Sequence, residues 1–351
     1  MILTVTLNAA LDVTYRVEAL VRHATHRVAE VQERAGGKGL NVARVLHGLG
    51  EPVRATGLLG GDTGARVQRL LIADGIASDF HSVADETRRT VAVVDSDATG
   101  FWEPGPVVTP EEWNAFQARY ASLVREAAVV VLSGSLPRGL PVDAYATLIT
   151  AARDAGARTV LDTSGDPLRA ALSADPDIIK PNLSELRTLL FVLDAEDGAD
   201  DADERWPTSE ANIAGGAGAV RVLGPGAVVV SRGPDGLLAA TPEGLWRARP
   251  PETLTGNPTG AGDASVAALA RGLRDRAAWP DVLADAVALS AAAVAAPVAG
   301  TVDPETATRF RTTINVTRMT AEGDTRPGPP LASSAESAAP TTADVKESPA
   351  C

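Results

Sequence analysis

Over residues 2–7 apolar residues alternate with Thr4 and Thr6, the two-residue period of a strand, and the run stops at Asn8, where a loop begins. The same punctuation recurs. Apolar runs at residues 54–59, 128–132, 159–162, 177–180 and 227–231 are each bounded by turn residues, and stretches with helical spacing separate them. One helix is predicted after Gly36-Gly37-Lys38-Gly39, with Val42, Val45, Leu46 and Leu49 in one stripe. Another follows Gly260-Ala261-Gly262-Asp263, with Val266, Leu269, Ala270 and Leu273 on one face. Strand, glycine-rich turn and helix in alternation predict an α/β protein with a mainly parallel central sheet and ligands at the carboxyl ends of its strands.

Two stretches break the alternation. Residues 13–31 and 88–104 read as strands without intervening helices, which predicts a small separate sheet acting as a lid. Residues 194–218, rich in Asp, Glu, Ala and Gly, read as a mobile connection around a short helix. The run from Ala286 to Pro297 is too short to cross a bilayer and reads as a buried helix. Residues 319–351 are Pro, Ser, Ala, Thr and Glu with almost nothing to bury, so they read as a disordered tail behind a domain spanning residues 1–318.

Composition narrows the partners. A formal net charge of -13 argues against nucleic acid or an anionic membrane, because both reward clustered Lys and Arg. An anionic ligand must then be held by local donors. The only cysteine is Cys351, which leaves no disulfide framework, cysteine metal site or thiol catalysis, and no basic, apolar leader follows Met1, so a cytoplasmic setting is expected. His23, His26, His47 and His81 lack metal-ligand spacing. A nicotinamide dehydrogenase is disfavoured, since no Gly-x-Gly-x-x-Gly follows a strand and Gly224-Pro225-Gly226 precedes one.

Several motifs carry candidate chemistry, each with two readings. Gly260 and Gly262 let the backbone turn tightly at a helix N-terminus, where free amides and a partial positive charge attract anions. Asp263 is there either a helix cap or a general base beside a transferred phosphate. Gly36-Gly37-Lys38-Gly39-Leu40-Asn41 is not a Walker A loop, because Gly39 stands where Ser or Thr should follow the lysine. It is an ordinary loop, or a floor on which Gly37 approaches a polyhydroxylated ligand, Asn41 bonds its hydroxyls and Lys38 supplies charge. Asp12 is a turn former or an acceptor for sugar hydroxyls. Lys180-Pro181-Asn182-Leu183-Ser184-Glu185 contains a capping-box variant, or else places Lys180 and Asn182 on phosphate oxygens with Glu185 holding magnesium through water. Ser231-Arg232-Gly233 ends a strand where a nucleotide could lie.

Together with Ser133-Gly134-Ser135-Leu136-Pro137, and in this order, these motifs resemble the PfkB branch of the ribokinase-like carbohydrate kinases from about residue 1 to 315. The resemblance implies a ribokinase-like three-layer fold with helices on both faces of the sheet. It implies an anion hole of Gly260, Ala261 and Gly262 with Asp263 as catalytic base, and ATP and Mg2+ as cofactors. Lys180, Asn182, Ser231 and Gly233 would then meet the nucleotide, Asn182 and Glu185 would organise magnesium, and Asp12, Gly37, Lys38, Asn41 and Ser135 would meet the sugar. Thr87-Arg88-Arg89-Thr90 and Glu103-Pro104-Gly105-Pro106 match lid segments of the hexose-phosphate kinases, 1-phosphofructokinase and tagatose-6-phosphate kinase. A substrate that already bears a phosphate needs a cation, and an arginine fork suits its oxygens, which selects Arg88 with Lys38 and Arg27 as helpers. Arg89 and Arg138 read equally well as surface charges.

The expected reaction is transfer from magnesium ATP to a primary hydroxyl of a ketohexose phosphate, with fructose 1-phosphate first. Tagatose 6-phosphate, fructose 6-phosphate and an unphosphorylated sugar or nucleoside are the alternative acceptors, and a non-catalytic sugar-phosphate sensor is the rival of another class. The resemblance also implies a homodimer through the lid. The sequence departs from the subgroup at Ala9, where proline is usual, and at Arg232, where an apolar residue commonly sits beside the nucleotide.

Overall fold

The alternation becomes one large sheet covered on both faces. The computed structural model describes residues 1–195, 209–296, 298–319 and 325–327. Its strands are β1 (Ile2–Thr6), β2 (Ala10–Arg16), β3 (Glu30–Gly36), β4 (Val53–Gly60), β5 (Ser78–Val83), β6 (Arg88–Val94), β7 (Ala98–Trp102), β8 (Val129–Ser133), β9 (Arg158–Asp162), β10 (Ile178–Ile179), β11 (Ala227–Ser231), β12 (Leu237–Thr241), β13 (Gly244–Arg249), β14 (Asn315–Met319) and β15 (Thr325–Pro327). Its helices are α1 (Lys38–Gly48), α2 (Gly61–Ala73), α3 (Pro110–Leu123), α4 (Ala144–Asp154), α5 (Gly165–Ala171), α6 (Leu183–Ala195), α7 (Glu210–Arg221), α8 (Ala261–Asp275), α9 (Trp279–Ala295) and α10 (Pro304–Arg311).

The large sheet has the order β15-β14-β13-β12-β11-β10-β9-β8-β1-β4-β5. It is parallel from β11 through β5 and antiparallel from β11 through β15. Strand periodicity divides the core. Val129 and Val131 of β8 pack with α1, α2, α8 and α9, through residues such as Leu46, Val67, Leu269 and Leu283. Val130 and Leu132 pack on the other face with Phe116, Tyr120, Tyr145 and Val220 of α3, α4 and α7. Each fully buried Val or Leu contributes roughly 1.5–3 kcal/mol, which is why these central strands read as near-continuous apolar runs. The result is a three-layer α/β fold. In β1 even Thr4 and Thr6 are buried, because α1 closes over them.

The Ala-rich run predicted as a buried helix is α9, with Leu283, Ala286, Val287 and Leu289 buried. No helix among the described residues is long and apolar enough to cross a membrane.

The second sheet has the order β3-β2-β6-β7. It contains parts of both stretches that broke the alternation, with different boundaries: β2 already begins at Ala10, directly beyond β1, and β3 starts only at Glu30 and runs to Gly36. Ala10 pairs with Arg88 at one end and Arg16 with Val94 at the other. Asp12 and Arg88 are thereby set at the end of the small sheet nearest the carboxyl end of β1. Of residues 194–218, the end belongs to α7, which begins at Glu210 and runs past this stretch to Arg221, and residues 196–208 lie outside the described residues. Of the tail expected to be disordered, Met319 closes β14 and residues 325–327 form an edge strand; 320–324 and 328–351 lie outside the described residues.

Candidate active site

The site lies where the carboxyl ends of β1, β8, β9 and β10 meet the N-termini of α1 and α8. Gly260 caps α8 with φ 89°, and a Cβ there would come within 3.1 Å of Ala299 and the Gly300 backbone, so only glycine makes this turn without strain. Asp263 is three residues further on. Gly260, not Asp263, occupies the N-cap position, and Asp263 Oδ2 accepts a hydrogen bond of 2.8 Å from Asn41 Nδ2. Asp263 is therefore not the cap residue of α8, because the helix already begins at Ala261 after the left-handed Gly260.

A second carboxylate stands beside it. Asp162, the last residue of β9, is 1% exposed, and its Oδ1 lies 3.4 Å from both Lys38 Nζ and Lys180 Nζ. Lys38 opens α1 and Lys180 follows β10, so three separate elements bring these charges together. A Cβ at Gly262 would sit 3.7 Å from Lys180 Nζ, which places that ammonium over the first turn of α8. Burial works against the charge on Asp162, but the ammoniums of Lys180 and Lys38 outweigh it and hold the carboxyl below its usual range. For Asp263 the balance is reversed. Burial, then the charge on Asp162, push it up to about 7, against the opposing pull of the Asn41 hydrogen bond and the two lysines. Lys38 is held more firmly protonated: burial opposes its charge, and Asp162, Glu185 and Asp263 together favour it. Two neighbouring carboxyls with separated titrations assign themselves: one is a fixed charge and the other can exchange a proton near neutrality.

A polar cluster extends from there toward the small sheet. Asn8 Nδ2 donates to Ser135 Oγ at 3.1 Å, and Arg88 Nε donates to the Asn8 carbonyl at 3.2 Å. A Cβ at Gly36 would fall 2.1 Å from the Asp12 carboxylate carbon, so the first glycine of the Gly-Gly-Lys-Gly run makes room for that carboxylate. Gly37, at φ 112°, packs on Thr6. Burial raises the titration of Asp12, while the Thr90 hydroxyl and the Arg88 charge pull it back.

Ser231 and Gly233 line a cavity of about 530 Å3 whose wall includes Leu237, Leu254, Val287, Ala291 and Val294. Ala261 and Gly262 form its boundary with the α8 turn. Arg232 is absent from that wall. Its guanidinium turns to Glu210 at 2.6 Å, where Arg247 and Arg249 also converge and, against the cost of burial, hold the Glu210 carboxyl down to about 2.

Asn182 and Glu185 form a reciprocal capping box: Asn182 N–H donates to Glu185 at 2.7 Å and Glu185 N–H donates to Asn182 Oδ1 at 2.8 Å. The local reading of this motif is realised, and it aims Glu185 close enough to Lys38 to favour that lysine's charge. Arg27 is not brought to the site. It is exposed in the 17–29 connection, beyond the end of β2 where Ala29 N–H bonds the Arg16 carbonyl. Six residue steps of about 3.3 Å each separate that end of the sheet from the Arg88 end. Arg89 pairs with Glu103, and Arg138 donates to the Gly105 carbonyl, so both brace the chain.

Sequence reasoning missed Asp162 and Thr90. The available signal for Asp162 was a carboxylate closing an otherwise apolar strand whose neighbours end in the motifs above. Among the described residues no three His, Cys, Asp or Glu side chains converge as a metal cage. Glu185, and Asp162 already shared by two lysines, suit a hydrated magnesium ion carried on phosphate oxygens better than a directly ligated one.

The model of the pfkB family of carbohydrate kinases matches residues 4–306. Phosphofructokinase-2 from Escherichia coli, solved in complex with fructose-6-phosphate, aligns with a TM-score of 0.77 at 27% identity, over 89% of this chain and 98% of that one. A Thermotoga maritima structure described as a possible 1-phosphofructokinase aligns at 0.75 and 26% identity, over 91% and 99%. Ribokinase from Arabidopsis thaliana, complexed with ribose and ATP, shares the fold at 0.67 and 21% identity, over 88% and 98%.

Proposed function

The chain belongs to the pfkB family of carbohydrate kinases, and from that premise we propose that it transfers the γ-phosphoryl group of ATP to a primary hydroxyl of a ketohexose phosphate, with fructose 1-phosphate as the leading acceptor. The observation that carries this reading is the buried Asp263 carboxyl in the first turn of α8, held by the Asn41 amide at 2.8 Å and within the influence of the Asp162, Lys38 and Lys180 charges.

In the proposed reaction the acceptor hydroxyl gives its proton to Asp263 as its oxygen attacks the γ-phosphorus. The bond from that phosphorus to the bridging oxygen breaks, and ADP leaves with the electron pair. The amides of the Gly260–Asp263 turn and the ammoniums of Lys180 and Lys38 face the charge that spreads over the transferred group. Magnesium, carried on the phosphates and held through water by Glu185 beside Asn182, would add further neutralisation of phosphate charge. The cavity lined by Ser231 and Gly233 suits the nucleotide base, since it is mainly apolar and opens directly on the α8 turn.

Asp12, Asn41 and Ser135 offer acceptors and donors for sugar hydroxyls above the Gly37 floor. Arg88 supports an acceptor that is already phosphorylated. Burial lowers its titration while the Asp12 and Glu103 carboxylates favour its charge, and its Nε donates to the Asn8 carbonyl, which holds the guanidinium at the sugar end of the site. A 6-phosphofructokinase is the second reading, favoured by the likeness to the E. coli enzyme solved with fructose-6-phosphate. Exposed Val31, Phe101 and Trp102 on the small sheet support a homodimer through this lid.

A coupled ADP-release assay with fructose 1-phosphate, tagatose 6-phosphate, fructose 6-phosphate and fructose tests the proposal. The expected result is a kcat/KM for one hexose phosphate far above that for plain fructose. Equal use of fructose would remove phosphate recognition from the proposal, and no ADP with any acceptor would favour a non-catalytic sensor.

A further inference from the structure

Asn41 does not hold the base alone. While its Nδ2 donates to Asp263, its Oδ1 lies 3.4 Å from Arg44 Nη1. Arg44, one helical turn further along α1, is 8% exposed and is pinned from behind. Its Nη2 donates to the Ala35 carbonyl at 2.9 Å, and Nε and Nη2 both lie 3.3 Å from Asp74 Oδ2. Gly300 closes the remaining side: a Cβ there would fall 2.9 Å from Arg44 Nη1 and 3.1 Å from Asn41 Oδ1.

The chemistry of the carboxamide makes this chain directional. A half-turn of the Asn41 amide leaves its shape almost unchanged but exchanges donor for acceptor, so packing alone cannot choose which end faces the base. A guanidinium only donates, and it therefore takes the carbonyl end. The amino end is left for Asp263. In the opposite orientation a carbonyl oxygen would face the ionised carboxylate, and two acceptors at that distance repel.

We propose that Arg44 is a positioning residue for phosphoryl transfer, locking the Asn41 amide so that the ionised Asp263 carboxylate always has a donor. The inference rests on Asp263 being the base. The other charged groups acting on Asp263 are Lys38 of α1, Asp162 of β9 and Lys180 after β10. Arg44 is paired with Asp74 and its charge also acts on Asp12 and Arg34, but it is not among the principal charges acting on Asp263, which it reaches through the Asn41 amide.

A cavity of about 570 Å3 lies against Arg44, bounded by Arg34, His47, Asp74 and Gly300, and gives a small cation a route to the vacated position in a truncated variant. The test is Arg44→Ala and Arg44→Lys, with kcat and KM measured from pH 5.5 to 9 with and without millimolar guanidinium. In Arg44→Ala the acid limb should move to higher pH. A displacement of one unit would make kcat about tenfold lower on that limb and leave it closer to wild type at high pH. KM for ATP should hold, and guanidinium should restore kcat, with lysine restoring part of it. A folded Arg44→Ala protein whose profile parallels wild type, or that guanidinium does not rescue, overturns the proposal. If Arg44→Ala does not fold, Arg44→Gln, whose amide can donate or accept and so no longer selects one end of Asn41, should move the limb in the same direction, and an unmoved limb there is equally fatal. Asp263→Asn separates the two levels. Normal turnover in that variant removes the base itself, whereas an inactive Asp263→Asn beside an unaffected Arg44→Ala removes only the role of Arg44.

Discussion

Replacing Asp263 by asparagine should make the protein more stable as well as nearly inactive, and the gain should grow with pH. In the fold this carboxyl titrates at about 7 instead of its ordinary 3.8. A group whose folded titration is raised in this way binds its proton more tightly in the native state. It therefore costs almost nothing below pH 3.8, becomes increasingly destabilising as pH rises from there to about 7, and levels off above. At about 1.36 kcal/mol per pH unit, the carboxyl costs the fold roughly 4 kcal/mol at pH 8 but only about 2 kcal/mol at pH 5. Asparagine has the same shape and no charge, so it removes that cost. Other consequences of the change, such as altered contacts with Asn41, are close to independent of pH. The signature is thus a stability difference between variant and wild type that is larger at pH 8 than at pH 5 by about 2–3 kcal/mol. Urea unfolding followed by tryptophan fluorescence at the two pH values reads it directly, alongside turnover, which should fall by about 10²- to 10⁴-fold. A stability difference equal at both pH values would show that this carboxyl is not perturbed. Near-normal turnover would show that it is not the base.

Other expectations follow from the same geometry. The acid limb of wild-type kcat/KM should have its midpoint near 7, since the Asp263 carboxyl must lose its proton to act, and a flat profile down to pH 5 would contradict it. Asp162→Asn removes a like charge from Asp263, so the limb should move to lower pH, while the buried Lys180 loses its counter-charge and stability falls by about 3–5 kcal/mol; an unmoved limb would break the link between the two carboxyls. Arg88→Ala should raise KM for the phosphosugar with little change in KM for ATP, and an unchanged phosphosugar KM would take Arg88 out of that site. Ala291→Trp should fill the cavity beside Ser231 and raise KM for ATP alone, so an equal effect on both substrates would argue against the nucleotide lying there.

Much of the fold was legible along the chain, because the repeats that build it are local. A period of two marks β1, and apolar runs ending at turn residues mark β4, β8, β9 and β11, each within a residue or two of its observed ends. Glycine spacing marked both turns that open α1 and α8. Strands of the small sheet were less well placed: no apolar alternation sets their ends, which are decided by pairing of β2 with β3 and β6. The chemistry was legible as a set of residues but not as an arrangement. Asn182 and Glu185 were correctly readable as a capping box because that interaction spans three residues. The partner of Asp263 could not be read, since Asn41 lies 222 positions away, and neither could the role of Asp162, whose lysine Lys38 is 124 positions distant. The sequence by itself determined which carboxylates and cations the chain possesses and that the sheet would gather them at one edge. Only the tertiary structure decided which carboxyl stays charged and which can take a proton, because that choice depends on burial and on charges only a few ångströms apart, and neither quantity is defined until distant segments are packed together.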